Sequence, residues 1–249
     1  MSLKVKSILV TQPRPETEKS PYFDLAKKFN LKIDFRPFIH VEPVASADFR
    51  KDKINIQDYT AVILTSRVAA DHFFRICNEM RIQNLDQFKY FCISESTAFY
   101  LQKYVVYRKR KIFYGKSTIN DLIDVIKKHK KEKFLLPCSD VHKQENADIL
   151  TEHNIEFTKA IMYKTVCSDL SDLAEVNYDM LVFFSPSGIT SLFQNFPKFK
   201  QNNTRIAAFG AATIQAVVDA KLNVDVMAPV PEAPSMTMAI EQYVKKANK

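Results

Sequence analysis

Short apolar runs recur along this chain, each closed by a small polar turn and followed by an amphipathic stretch. Ser7–Thr11 reads as a first strand, stopped by Gln12-Pro13-Arg14-Pro15. Tyr22–Phe29 has helical spacing and ends at Asn30, a suitable C-cap. Leu31–Phe35 alternates as a second strand, and the proline-bracketed segment 36–44 is extended enough to serve as a connector. The cycle then restarts. Tyr59–Leu64 predicts a buried strand, Thr65–Arg67 a turn and Val68–Met80 a helix; Tyr90–Ile93, Ser94–Thr97 and Ala98–Lys103 predict the next such unit. Val105–Tyr107 and Ile112–Phe113 are expected as short edge strands, with Ser117 or Thr118 as N-cap of a further helix. Phe134–Leu136 predicts a strand, Pro137–Asp140 a turn, Lys143–Glu152 a helix and Ile155–Val166 a long alternating strand.

The sharpest unit is Met180–Phe184. It is a continuous apolar run that ends in Ser185-Pro186-Ser187-Gly188 and passes at once into the amphipathic Ile189–Phe193. A second turn of the same kind holds Gly210, and Val224–Met227 and Ser235–Lys245 close the pattern as strand and helix. Ser66 aligns with Ser185, and Thr97 with Thr213, at nearly equal separations; the unit at Leu9 likewise resembles the unit at Leu135. The chain therefore holds two copies of one α/β arrangement, with parallel sheets covered by helices. Ligands in such sheets bind beyond the carboxyl ends of the strands. Strand, small turn and helix start aim backbone N–H groups at an anion.

Composition narrows the chemistry. Hydrophobic content of 46% with 26% charge describes an ordinary globular protein and excludes a disordered one. No apolar run approaches the roughly 18 residues that span a membrane. Met1–Lys6 has no signal-peptide core, which predicts a cytoplasmic protein. Four scattered cysteines in a chain of this size predict free thiols. There is no phosphate loop, the three scattered glycines make no dinucleotide fingerprint, and no Gly-x-Ser-x-Gly elbow supports a serine nucleophile. Cys138 and His142 lack further ligands at zinc spacing, so no metal is expected. The net charge of +8 suits a polyanionic small molecule. The basic runs 107–111 and 127–133 read as solvated faces without a nucleic-acid recognition motif, so neither nucleic acid nor membrane is an expected partner. What remains is a set of small hydroxyl residues at strand ends: Thr11, Ser66, Thr97, Ser139, Ser185, Ser187 and Thr213. They suit carboxylate or phosphate; the serines serve equally as helix N-caps.

In order, the chain presents Val-Thr-x-Pro, Leu-Thr-Ser before a helix, Ser-Thr-Ala after a strand, Met-Tyr-Lys-Thr, Phe-Phe-Ser-Pro-Ser-Gly-Ile and Phe-Gly-Ala-Ala-Thr. This series, over essentially the whole chain, resembles the uroporphyrinogen-III synthase family. The resemblance implies two flavodoxin-like lobes joined by a two-stranded linker, with a cleft between them. The first lobe would take residues 1–37 and 168–249, the inserted lobe 43–160, and the linkers 38–42 and 161–167. It implies closure of linear hydroxymethylbilane to uroporphyrinogen III with inversion of the last pyrrole ring, by an enzyme that needs no organic cofactor and is expected as a monomer. Tyr163 would help the hydroxyl leave, with interlobe packing as its competing role. Thr11, Gln12, Ser66, Thr97, Ser139, Ser185, Ser187, Gly188 and Thr213 would contact the substrate. Gln12 and Ala212 depart from the family's arginine and threonine. The competing reading is a two-lobed module that binds a tetrapyrrole without converting it.

Overall fold

The computed structural model describes residues 4–141, 144–173 and 177–248. The expected helix start at Lys143, the Cys138–His142 spacing at its second residue, and part of the segment after Ser168 lie outside them. By its contacts the chain divides into two units, Met1–His40 with Val166–Lys249, and Val41–Thr165.

The first unit holds β1 (Ser7–Val10), α1 (Pro21–Phe29) and β2 (Lys32–Phe35), then β9 (Met180–Phe183), α7 (Pro186–Asn195), β10 (Arg205–Phe209), α8 (Ala211–Asp219), β11 (Val226–Ala228) and α9 (Met236–Ala247). Its sheet is parallel throughout, in the order β11-β10-β9-β1-β2. Its strands read as apolar runs because both faces are covered. Ile8, Val10, Met180 and Val182 pack against Leu25 of α1 and Ile240 of α9. Leu9, Leu181 and Phe183 point the other way, toward Leu192 of α7 and Val217 of α8. Asn30 closes α1 in the left-handed region, its N–H donating to the Ala26 carbonyl, as its place after Phe29 predicts.

The second unit follows β3 (Ile39–Pro43), whose last residues belong to it. It holds α2 (Ser46–Phe49), β4 (Ala61–Leu64), α3 (Arg67–Glu79), β5 (Lys89–Cys92), α4 (Glu95–Tyr100), β6 (Ile112–Tyr114), α5 (Asn120–Lys128), β7 (Phe134–Ser139), α6 (Gln144–Glu152) and β8 (Phe157–Cys167). The sheet order is β3-β8-β7-β4-β5-β6. Val62 and Leu64 meet Phe73 of α3 and Ala98 of α4 on one face. Ala61 and Ile63 meet Leu122 of α5 and Leu150 of α6 on the other. Setting β3 aside, the two sheets have one spatial order, with β7, β8, β4, β5 and β6 in the places of β1, β2, β9, β10 and β11. The second unit is thus a circular permutation of the first, and the internal alignment of Ser66 with Ser185 places equivalent strands together.

Three local expectations are corrected. Val105–Tyr107 forms no strand: the outer side of β5 is taken by β6, from Ile112, and Tyr107 instead stacks on Phe99 with ring centroids 5.7 Å apart. The expected turn Pro137–Asp140 is strand as far as Ser139. Proline is tolerated there because the pairing of β7 with β4 ends at Leu135, and β7 runs on beside β8 only. Neither Ser117 nor Thr118 caps α5. Ile119 holds the cap position, and Asp121 reaches back to accept from the N–H groups of Ser117 (3.0 Å) and Thr118 (2.8 Å) and from the Thr118 hydroxyl (2.9 Å). The turns after β5 and β9 are also shorter than their polar residues suggest, since α4 begins at Glu95 and α7 at Pro186. Among the described residues, no helix is long and apolar enough to cross a membrane.

Candidate functional site

At the carboxyl ends of β4, β5 and β7, the second unit holds a cavity of about 520 Å³. Ser66, Ile93, Thr118, Ser139, Asn146 and Tyr163 are among its lining residues. The chain leaves β7 for β8 on one side and β4 for β5 on the other, so the cavity lies at the point where the strand order reverses. Ser66 caps α3, its hydroxyl accepting from the Ala69 N–H at 3.0 Å. The N–H groups of Arg67 and Val68, ahead of that bond, find no acceptor among the described residues. They carry the positive end of the helix dipole.

Tyr163 owes its placement to an irregularity. The β7–β8 register pairs Cys138 with Ile161 but Ser139 with Tyr163, which adds one residue to β8. Strict alternation would send Met162 and Tyr163 to opposite faces; with the bulge, both pack on the α3 side. There the Tyr163 ring stacks on His72, centroids 4.9 Å apart and planes 19° apart. Burial lowers the pKa of His72, and the nearby Arg75 charge adds to this, so its imidazole is neutral near pH 7. Its Nδ1 can then accept from Arg75 Nε at 3.4 Å. Arg75 is itself fixed by the carbonyls of Val44 (2.8 Å) and Met162 (3.1 Å) and by Glu79 (2.7 Å). Burial pushes the Tyr163 pKa upward while the Ser66 hydroxyl acts in the opposite sense. The phenol therefore keeps its proton at neutral pH and can donate it. Cys138 lines the same cavity, and its thiol is pushed up to about 11 by burial, so it is no nucleophile at pH 7.

Gly115 and Asp121 shape the loop at the cavity's edge. A Cβ on Gly115 would lie 2.7 Å from Asp121 Cβ and 3.2 Å from the Ile93 carbonyl, so only glycine lets the loop close on itself. The backbone bonds hold the Asp121 carboxyl down at about 2. Since that pKa lies below the ordinary 3.8, the stabilisation is complete above about pH 4 and disappears as pH falls through 2. Between pH 5 and pH 2 the thermal midpoint of the parent is expected to fall further than that of Asp121→Asn. Parallel curves would show that the carboxylate is not what holds the loop.

The remaining sequence-chosen residues lie elsewhere. Thr97 is buried within α4, its hydroxyl 3.1 Å from that of Ser94. The others belong to the first unit, at the carboxyl ends of three adjacent strands. Thr11 follows β1, is buried, and donates its hydroxyl to the Val182 carbonyl at 2.8 Å. Gln12 is exposed. Ser185 stands at the N-cap of α7 with its hydroxyl free of any capping bond, and Ser187 is half-buried in the first helical turn. Thr213 is buried in α8, behind Gly210, whose φ of 85° is the positive-φ conformation that requires glycine. Gly188 has a different reason to be glycine from the one its turn suggests. It is buried inside α7, and a Cβ would lie 3.2 Å from the Phe183 ring. Sequence reasoning missed His72, Arg75, Gly115 and Asp121. The only early trace of the first pair is their spacing of three on the helix that follows Leu-Thr-Ser.

The family model described as uroporphyrinogen-III synthase HemD matches residues 22–238. The chain belongs to the uroporphyrinogen-III synthase family. It is therefore a cyclising lyase of tetrapyrrole formation that acts on a small-molecule substrate. Two solved synthases share the fold. The uroporphyrinogen-III synthetase of Helicobacter pylori matches with a TM-score of 0.63 at 15% identity, over 97% of this chain and 99% of that one. A mutant uroporphyrinogen III synthase of Thermus thermophilus matches with 0.57 at 13% identity, over 97% and 99%. No curated protein sequence matches the chain. For a synthase, the cavity offers a protonated phenol, unpaired N–H groups at a helix start and small hydroxyls.

Proposed function

We propose that this chain closes hydroxymethylbilane to uroporphyrinogen III as a cytoplasmic monomer, and that Tyr163 assists departure of the hydroxyl. The observation that carries this is the protonated Tyr163 phenol beside Ser66 at the sheet's switch point. The pyrrole nitrogen pushes out the hydroxyl as the C–O bond breaks, and the phenol donates a hydrogen bond or proton to the departing oxygen, which leaves as water. Ring closure at the substituted carbon of the last pyrrole, through a spiro intermediate, must then outrun direct closure. That selection needs the flexible chain held in one shape and its charged intermediate stabilised, for which no strong nucleophile is required.

The start of α3 would take one of the substrate's carboxylates on the N–H groups of Arg67 and Val68. Ser66 and Ser139, which line the same cavity, would add hydroxyls. Incubation with freshly made hydroxymethylbilane, followed by separation of the type I and type III products, tests the reading. Type III product above the spontaneous background is expected, and type I alone would overturn it. The charge of +8 adds a second expectation. Binding of the polycarboxylate product should weaken as salt rises, because exposed charges are screened over about 8 Å at physiological ionic strength. A salt-independent affinity would remove charge steering from the account.

A further inference from the structure

Arg67 opens α3 between Ser66 and Val68, both of which line the cavity. An arginine at that place has an obvious partner one turn on, the carboxylate of Asp71. Asp71 is engaged elsewhere. It accepts from the Tyr100 hydroxyl at 2.8 Å and from the Tyr104 hydroxyl, and pairs with Lys103 at 3.4 Å. The Tyr100 ring, fixed by that bond, lies under the Arg67 guanidinium, 5.4 Å from ring centroid to Cζ. Among the described residues Arg67 has no carboxylate partner of its own. Its guanidinium thus sits over an aromatic face with no carboxylate bound to it, an arrangement suited to bidentate capture of a carboxylate.

The internal repeat supplies an independent comparison. Carrying the Ser66–Ser185 alignment along the two helices puts Pro186 at the place of Arg67 and Thr190 at that of Asp71. Carrying the Thr97–Thr213 alignment along α4 and α8 puts Ala216 at Tyr100 and Ala220 at Tyr104. The guanidinium, its aromatic platform and the residues that brace the platform occur together in one copy and are absent together from the other. General helix packing would not require that. A single device, present in one unit only, accounts for it.

We propose that Arg67, braced on Tyr100, is a substrate anchor that binds one carboxylate of the polycarboxylate substrate beside the cavity. The inference rests on the synthase reading above and adds a residue that decides affinity. Its test is steady-state kinetics of Arg67→Ala and Arg67→Lys with hydroxymethylbilane, on variants whose circular dichroism and thermal midpoint match the parent. Arg67→Ala should raise KM about tenfold or more, with kcat within about twofold, and shift product toward type I at low substrate. Arg67→Lys should recover only part of the loss, because an ammonium is a point charge without the guanidinium's bidentate fork. A KM within twofold of the parent, or a fall in kcat alone, overturns the anchor while leaving the synthase reading intact. Should the parent itself form no type III product, the synthase reading fails, and a fluorescence titration with uroporphyrin III decides the anchor. Parent binding weakened about tenfold in Arg67→Ala supports it; equal binding, or none to either protein, overturns it.

Discussion

Tyr163→Phe is expected to lower kcat by up to about 10²-fold, with KM little changed and the fold intact. The phenylalanine ring keeps the stack on His72 and the packing against the α3 side of the sheet, so only the hydroxyl is removed. General acids contribute typically 10²- to 10⁴-fold. The lower end applies because the pyrrole nitrogen already drives the hydroxyl out and leaves the phenol little to do. Burial raises the phenol's pKa, so the group stays protonated across the neutral range and the parent's kcat should show no alkaline fall near pH 8. A Phe variant that cyclises at the parent rate would make Tyr163 a packing residue and leave the helix-start N–H groups as the working parts.

Gly188→Val is expected to destabilise the first unit by about 1–3 kcal/mol, the usual cost of forcing extra methyl groups into a filled core. The strain has a definite source. Gly188 is buried in the first turn of α7, where even a Cβ would stand 3.2 Å from the ring of Phe183, which is fully buried and edge-on to Phe38 at 5.8 Å. Gly188→Ala should be near neutral by comparison. Replacing a helical glycine gains up to about 1 kcal/mol of propensity, which offsets a ring displacement of a few tenths of an ångström. Urea denaturation of the two variants decides the matter. A valine variant with the parent midpoint but no activity would move Gly188 from the core to the substrate.

The same glycine shows where the sequence is legible and where it is not. Met180–Phe183 and Ala61–Leu64 are readable as strands because both faces of a parallel sheet are covered, which leaves an unbroken apolar run. The repeat was readable for the same reason. Which neighbour makes Gly188 a glycine was not, because Phe183 meets it only once the strand has turned into the helix. The extra residue in β8 that carries Tyr163 to the α3 side is a property of pairing with β7, and pairing register leaves no mark on one strand's alternation. Asp121 was legible in principle: it stands three residues after Thr118 and reaches back to accept from the Thr118 N–H, the spacing and direction of the acid in a capping box. Arg75 reads as one more surface arginine until Val44 and Met162 bring their carbonyls to it.

The permuted arrangement of the second sheet bears on how the chain is made. A ribosome delivers residues from the N-terminus, and domains tend to fold as they emerge. By the time Thr165 has been added, every parallel pairing of β4 to β8 has both partners available. The first unit at that moment owns only β1 and β2. The inner edge of β1 stays bare until Met180 arrives to pair with Ile8, and an unpaired strand edge invites pairing with other chains. The inserted unit therefore completes its sheet before the unit whose two segments flank it, and the nascent chain's exposure to misassembly is concentrated at β1.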